Sequence, residues 1–220
     1  MTKSVVSNSG NGHGQGFGDI NGDGHEDIVF MQGWYERPAK NPFGQPWKWR
    51  KEFTLPKASC PILVKDLNKD GRQDLIWGDG HNYGLHYHEQ LEPRKDGATA
   101  WKHHLIDKTI SQMHALAWDD LDKDGQPEII SGKRYYAHSG KDRGAEDEIV
   151  IARYQPELGE DGKVSFRKEI VHTGQAGTGL YIVTADLDKD GWKEIIVPGK
   201  SGTHILWNKG KKPPPKKKKG

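Results

Sequence analysis

The sequence has a single cysteine and no long apolar run, and each absence excludes a class of structure. Cys60 has no second cysteine to pair with, so an internal disulfide is excluded, and we interpret Cys60 as a small buried residue beside Pro61. No stretch approaches the roughly 20 apolar residues that a membrane-spanning helix needs, and residues 1–10 do not resemble a signal peptide. We therefore expect a soluble chain with no membrane span, and any export signal to lie outside it.

The composition also disfavours long helices. The 220 residues include 28 glycines and 12 prolines, and 33% are hydrophobic, which favours many short elements around one sizeable core. The net charge of +2 combines an acidic body with a lysine- and proline-rich tail over 209–220, which we predict to be disordered. The body shows no basic patch interleaved with aromatic residues, so no nucleic-acid partner is expected.

An acidic motif occurs four times and is the strongest signal in the sequence. The pattern D-x-[DN]-x-D-G-x-x-[DE] begins at Asp19, Asp66, Asp120 and Asp186. Oxygen ligands at positions 1, 3, 5 and 9, a turn-forming glycine at position 6 and a backbone carbonyl near position 7 suit Ca²⁺ better than Mg²⁺. We therefore predict up to four Ca²⁺ sites. The predicted ligands are Asp19, Asn21, Asp23 and Asp27; Asp66, Asn68, Asp70 and Asp74; Asp120, Asp122, Asp124 and Glu128; and Asp186, Asp188, Asp190 and Glu194.

Two other interpretations of the motif explain it less well. An EF-hand has a glutamate at position 12, where this sequence has Phe30, Trp77, Ser131 and Val197, and strand-like residues follow in place of a helix. An acidic Asp-Gly hairpin turn explains one copy, but four copies bring like charges together with no cation to offset them. The motif therefore favours metal sites, each between two strands.

The spacing of the motif predicts the fold. The first aspartates lie 47, 54 and 66 residues apart, and each unit has one apolar strand before the acidic loop, one after it and further strands beyond. Four antiparallel strands per unit are typical of a β-propeller blade. We predict an all-β fold in which residues 1–208 form four blades, with the N-terminal strand completing the last blade and closing the ring. The alternatives are part of a seven- or eight-bladed propeller and half of a dimeric ring.

The motif "GDINGDGHEDIV" and its three partners resemble the FG-GAP/VCBS repeats, the calcium-loop blades of integrin α-chain propellers and of many secreted proteins. The resemblance covers nearly the whole chain up to about Trp207. It implies a propeller, Ca²⁺ between the first two strands of each blade, and an extracellular or periplasmic setting. It does not imply one function, because members include adhesion receptors, lectin-like propellers and some polysaccharide lyases.

The candidate site lies at the end of the blades opposite the acidic loops. Antiparallel geometry brings together there the starts of the innermost strands and the loops between second and third strands, in a place where propellers commonly bind ligands. The candidate ligand-binding residues are His13, Trp34, Tyr35, Lys133 and His138. Aromatic rings beside charged groups are typical of sugar sites, so we predict recognition of a glycan.

Two alternatives to glycan recognition remain open. One is a scaffold or adhesion module for a protein partner. The other is a lyase that acts on an acidic, uronate-containing polysaccharide, with a base, an acid and a cationic clamp. The candidate catalytic residues are His81, Tyr83, His114, Arg134 and Tyr135. A hydrolase has weaker support, because only Glu36 and Asp79 remain as an obvious carboxylate pair.

Two further segments receive structural interpretations. His86 and His88 lie two residues apart on a predicted strand, and we expect both to be exposed to solvent. The charged, glycine-rich loop that begins at Gly140 predicts a flexible, solvated segment.

Overall fold

The computed structural model describes residues 1, 3–9 and 13–210. These residues form an all-β structure with a single short 3-10 helix at Ala137–Gly140. Their strands form four antiparallel sheets of three or four strands, each built from one consecutive part of the chain. No helix in the described part of the chain has the length and apolar character needed to cross a membrane. The predicted tail of 209–220 lies, apart from Lys209 and Gly210, outside the described residues.

The strands of the four sheets follow chain order. The first sheet contains β1 (Gln15–Gly18), β2 (Asp27–Phe30), β3 (Gly33–Glu36) and β4 (Lys48–Arg50). The second contains β5 (Leu63–Lys65), β6 (Asp74–Gly78), β7 (Tyr83–Leu91) and β8 (Ala100–Ser111). The third contains β9 (Leu116–Asp119), β10 (Glu128–Gly132), β11 (Val150–Leu158) and β12 (Val164–Thr173). The fourth contains β13 (Val183–Ala185), β14 (Glu194–Gly199) and β15 (Gly202–Leu206).

The core lies between successive sheets. Alternate residues of a strand point to opposite faces, so a strand that is apolar throughout is covered on both sides. In β6, Leu75 and Trp77 pack against the first sheet, while Ile76 packs against the third. In β10, Ile129 faces the second sheet and Ile130 faces the fourth. The second strands of the two central sheets are therefore buried on both faces, which is consistent with consecutive blades of a β-propeller.

The four sheets do not close into a ring within the described residues. In β14 the buried Ile195 alternates with Ile196, which faces away from the third sheet in one row with Val183 and Ile205. Val183 and Ile205 are 41% and 39% exposed. The fourth sheet thus keeps one apolar face open.

The N-terminal segment does not complete the fourth sheet, contrary to our prediction. The carbonyl of Val6 accepts a hydrogen bond from the backbone N–H of Trp47 at 3.1 Å, and the Ser4 hydroxyl donates to the Phe43 carbonyl at 2.9 Å. These bonds hold the segment beside the first sheet, so the outer edge of β15 has no strand partner in the part of the chain described.

Candidate functional site

The acidic loops join the first two strands of each sheet, so all four lie at the same end of the sheets. In each loop the position-1 aspartate accepts a hydrogen bond from the N–H of the position-6 glycine. The glycines are Gly24, Gly71, Gly125 and Gly191, at donor–acceptor distances of 2.8, 2.9, 2.9 and 3.0 Å. All four have φ between 81° and 89°, a conformation that favours glycine. The sharp turn predicted at position 6 is therefore present in every loop.

The position-9 carboxylates tie each loop to the sheet. They are fully buried, and one oxygen of each accepts the backbone N–H of position 2. The residues are Asp27, Asp74, Glu128 and Glu194. Burial raises the pKa of Asp27 to about 6 and the pKa of Asp74 to about 7. In the third loop Arg153 donates to Glu128 Oε1 at 2.7 Å and supplies a compensating charge.

The last two loops are better arranged for a cation than the first two. Asp120, Asp122 and Asp124 each place a carboxylate oxygen within 4.8 Å of the others, as do Asp186, Asp188 and Glu194. Three carboxylate oxygens in these loops are buried with no hydrogen-bond partner in the described structure, namely Asp120 Oδ1, Asp122 Oδ1 and Glu194 Oε1. An all-oxygen donor set of this kind fits a hard dication such as Ca²⁺.

The first two loops satisfy part of their negative charge internally. The Asn21 amide donates to Asp23 at 3.2 Å, and the Asn68 amide donates to Asp70 at 2.9 Å. Arg72 also forms an ion pair with Asp70 at 2.5 Å.

The third and fourth loops contact each other, because the Lys123 ammonium lies 4.5 Å from the centre of a Trp192 ring.

Three histidines from different parts of the chain meet at the opposite end. His13 precedes β1, His81 lies between β6 and β7, and His114 precedes β9. The Nε2 atoms of His13 and His114 are 2.9 Å apart, and the ring of His81 lies 5.5 Å from that of His13 and 5.9 Å from that of His114. We name His13, His81 and His114 the histidine cluster.

Hydrogen bonds from neighbouring groups orient this cluster. Nδ1 of His13 contacts the Ala58 carbonyl, and Nδ1 of His81 contacts Asp142 Oδ2, both at 3.1 Å. His138 stacks on His81 with ring centres 4.7 Å apart and contacts the same Asp142 oxygen at 2.7 Å. These two contacts outweigh the effect of desolvation and hold the pKa of Asp142 below its usual value.

His114 is the buried member of the cluster. His114 is only 6% exposed, and its Nδ1 atom has no hydrogen-bond partner in the described structure. Burial, with a further contribution from the positive charge of Arg134, lowers the pKa of His114 to about 4. His114 is therefore neutral at pH 7.

The β10–β11 loop (133–149) carries the remaining candidate residues in an uncommon conformation. Tyr136, His138 and Ser139 have φ values of 48°, 45° and 58°, which non-glycine residues rarely adopt. The loop is held by bonds from Gln112 Nε2 to the Arg143 carbonyl and from the Ser111 hydroxyl to the Gly144 carbonyl, both at 3.1 Å. Strained backbone that neighbouring groups hold in place is characteristic of functional sites.

The structure brings most, though not all, of the predicted ligand-contacting residues together. His13, His81, His114 and His138 lie in or beside the cluster, and the charge of Arg134 acts on His114. Tyr83 lies under the Arg143 guanidinium at 5.5 Å, and a hydrogen bond to Asp147 raises its pKa. Tyr135 is 42% exposed at the start of the loop.

Three predicted ligand-binding residues lie elsewhere or face inward. Trp34 is buried between the first and second sheets, where its indole donates to Glu52 at 2.9 Å. Tyr35 is 5% exposed and packs against Trp49. Lys133 is 1% exposed, and its ammonium donates to the Ala145 carbonyl at 3.2 Å, so it supports the loop from inside.

Asp142 is the site residue that sequence reasoning missed. It lies in the "GKDRGAED" segment, which charge and glycine content predicted to be flexible. The structure places it against two histidines, one of them 61 residues earlier in the chain. No local pattern in the sequence signals a contact at that separation.

Comparison with known protein families supports the interpretation of the acidic motif as a repeat. Residues 66–131 match the model of the FG-GAP-like repeat family. The match runs from the second acidic loop to the strand after the third, and the predicted resemblance is confirmed there. The search of curated proteins gave no match.

One solved structure with a similar fold is a lectin of Agrocybe aegerita, described as specifically recognising non-reducing terminal N-acetylglucosamine. The TM-score is 0.49 at 19% identity, and the similarity covers 89% of this chain and 49% of the lectin. The chain thus spans about half the length of that protein.

Proposed function

We propose that this chain is a calcium-stabilised recognition module of the β-propeller type, and that the end opposite the acidic loops binds an acidic glycan. One observation carries the proposal: Nη1 of Arg134 is buried and has no hydrogen-bond partner in the described structure. A buried guanidinium N–H without an acceptor is costly, and a carboxylate oxygen is the acceptor that suits it best. A uronate supplies such an oxygen.

The surroundings of Arg134 support a sugar ligand over a simple anion. Tyr135 and Tyr136 follow it in the chain, are 42% and 54% exposed, and have ring centres 6.3 Å apart. Exposed aromatic faces offer stacking surfaces for the apolar faces of sugar rings. Lys200 extends this surface, since its ammonium lies 5.6 Å from the Tyr136 ring centre.

The acidic loops support the calcium part of the proposal. Their unpartnered buried oxygens in the third and fourth loops are the donors that Ca²⁺ uses, with Asp120, Asp122, Asp124, Asp186, Asp188 and Glu194 as principal ligands. Because calcium is abundant outside the cytoplasm, we also propose an extracellular or periplasmic setting for the protein.

The four sheets are, in this proposal, four consecutive blades of a larger ring. Apolar clusters fill each of the three spaces between successive sheets. The row of residues on the fourth sheet that faces away from the third sheet is also apolar, but no other sheet covers it in the described structure. A second copy of the chain is the occupant that we propose for this face, so that two four-bladed halves form one ring.

Binding of uronate oligosaccharides tests the glycan proposal. We expect oligogalacturonate to bind in isothermal titration calorimetry and a neutral cello-oligosaccharide to bind far more weakly. Arg134→Gln removes the unpaired donor and is expected to cost about 1.5–3 kcal/mol of binding free energy, the range for hydrogen bonds to charged groups. Arg94→Gln, at an exposed position in the β7–β8 connection, is the matched control. Equal affinity of wild type and Arg134→Gln would remove the basis of the proposal.

A lyase is the second candidate function, and the neutral state of His114 favours it. A lyase needs an unprotonated base near a group that holds the uronate carboxylate, and His114 and Arg134 have these properties. In the same titrations a lyase releases unsaturated products that absorb in the ultraviolet, whereas a recognition module leaves the oligosaccharide intact. Any such activity that persists in both His81→Ala and His114→Ala would exclude these residues as acid–base groups.

A further inference from the structure

We propose that the histidine cluster binds a transition-metal dication of the Zn²⁺ class, at a site separate from the acidic loops. The proposal goes beyond the glycan site and does not depend on it. His13, His81 and His114 each place one ring nitrogen within 4.8 Å of the other two. Imidazole is a preferred ligand of Zn²⁺ and its neighbours in the transition series, whereas Ca²⁺ prefers oxygen.

The hydrogen bonds around His13 and His81 match those around metal-binding histidines. Such histidines usually donate their second ring N–H to a carboxylate or a backbone carbonyl, which fixes the tautomer and directs the free nitrogen at the metal. His81 has a carboxylate partner in Asp142, and His13 has a carbonyl partner in Ala58, each through Nδ1. Both rings thus present Nε2 as the free nitrogen.

His114 completes the set from the buried side. Its Nε2 lies 2.9 Å from Nε2 of His13, an approach in which one nitrogen must carry the proton between them. When a metal ion binds, that proton moves to Nδ1 of His114, and the metal accepts the Nε2 lone pairs of both rings. With Zn–N bonds of about 2.0–2.1 Å in tetrahedral geometry, the two nitrogens need to separate by only a few tenths of an ångström.

The arrangement leaves one coordination position for a non-protein ligand. Three protein ligands plus an exchangeable water are typical of catalytic zinc sites, whereas structural sites use four protein ligands. Asp142 is already engaged by His81 and His138, so we assign it to the outer shell. The charge of Arg134 lies near His114, which favours water or an anionic oxygen at the open position.

Titration of the full chain with Zn²⁺, in saturating Ca²⁺ so that the acidic loops are filled, tests the proposal. We expect one equivalent of Zn²⁺ to bind in calorimetry, and Co²⁺ at the same site to give the visible d–d absorption of a low-symmetry nitrogen site. Absence of saturable binding to the wild-type chain, which needs no substitution, would overturn the proposal.

Three variants locate the metal. His114→Gln removes a ligand and is expected to abolish the Co²⁺ spectrum. Asp142→Asn removes the outer-shell carboxylate and is expected to weaken Zn²⁺ binding about 10–100-fold while the spectrum persists. His104→Gln removes one imidazole on β8, where His104 contacts Glu89, and should leave binding unchanged. Wild-type affinity in His114→Gln would place the metal elsewhere and refute the assignment.

The Zn²⁺ titration and the oligosaccharide titration fail independently. Zn²⁺ binding without oligosaccharide binding supports the metal site alone, and the converse supports the glycan site alone. Thermal unfolding of each variant in Ca²⁺ confirms that a loss of metal does not reflect a loss of fold.

Discussion

Trp77 and three histidines show that the exposure of a residue on a β-strand depends on what packs against that face of the sheet. The indole lies 4.2, 5.5 and 5.6 Å from the ring centres of His86, His88 and His103. Sequence spacing predicted exposure of His86 and His88, but both are only partly exposed. The missing information was the neighbouring indole, because Trp77 is itself buried against the first sheet.

These histidines should make the protein less stable in mild acid. Burial lowers the pKa of His86 and His88 to about 4, while their unfolded-state value is near 6.5. Between pH 6.5 and 4 the unfolded chain therefore binds protons that the folded chain does not, so the free energy of unfolding falls as the pH falls through this window. We expect the double variant His86→Gln/His88→Gln to show a smaller fall than wild type in urea unfolding at pH 7, 6 and 5.

The difference between wild type and double variant isolates this effect. Asp27 and Asp74, whose raised pKa values act in the opposite direction over part of the same window, are present in both proteins. Identical pH dependence in the two would show that the histidines are not the source.

At the scale of elements, the acidic loop is the unit that the sequence predicts best. Ligand spacing, the glycine turn and the strands on either side are local, so four copies of the pattern sufficed to predict four antiparallel sheets. The β10–β11 loop is the opposite case. Its shape depends on bonds to Ser111, the last residue of β8, and to Gln112 just after it, and no local pattern in the sequence encodes those contacts. Trp34 is a second case in which distant contacts decide the outcome. Its aromatic side chain predicted a surface for ligand binding, but its neighbours make it part of the core.

Calcium affinity should differ between the loops. The first two have asparagine at position 3, and its amide donates to the position-5 aspartate, whereas the last two have a carboxylate there. We expect the third and fourth loops to bind Ca²⁺ more tightly in stepwise calorimetry and to account for most of the rise in unfolding temperature with calcium.

Asp122→Asn converts the third loop into the first-loop type. A tenfold weaker site is expected to lower the free energy of unfolding in saturating calcium by about 1.4 kcal/mol. Asp161→Asn, in an exposed turn between β11 and β12, controls for loss of one charge. A calcium-induced shift that is equal in both variants and in wild type would contradict the assignment of ligands.

For the molecule as a whole, the open face of the fourth sheet determines the expected assembly. Val183, Ile196 and Ile205 form an apolar row of the same kind that fills the spaces between the other sheets. We expect the chain to form a dimer in light-scattering measurements at micromolar concentration, because pairing of two copies buries this row.

Ile205→Glu places a charge in that row and should shift the protein to monomer with its calcium response intact. Leu105→Glu alters an apolar residue on β8 that is 50% exposed and lies away from the row, and it should leave the dimer in place. A wild-type chain that stays monomeric at high concentration would refute the two-copy ring.

Trp192 occupies position 7 of the fourth acidic loop, and its indole lies over Lys123 of the third. If the two loops bind Ca²⁺ as proposed, an ion in the fourth loop enters the same short loop as this indole, and an ion in the third loop acts on the indole through the lysine. The fluorescence of Trp192 would then report calcium entry and release in the unlabelled protein.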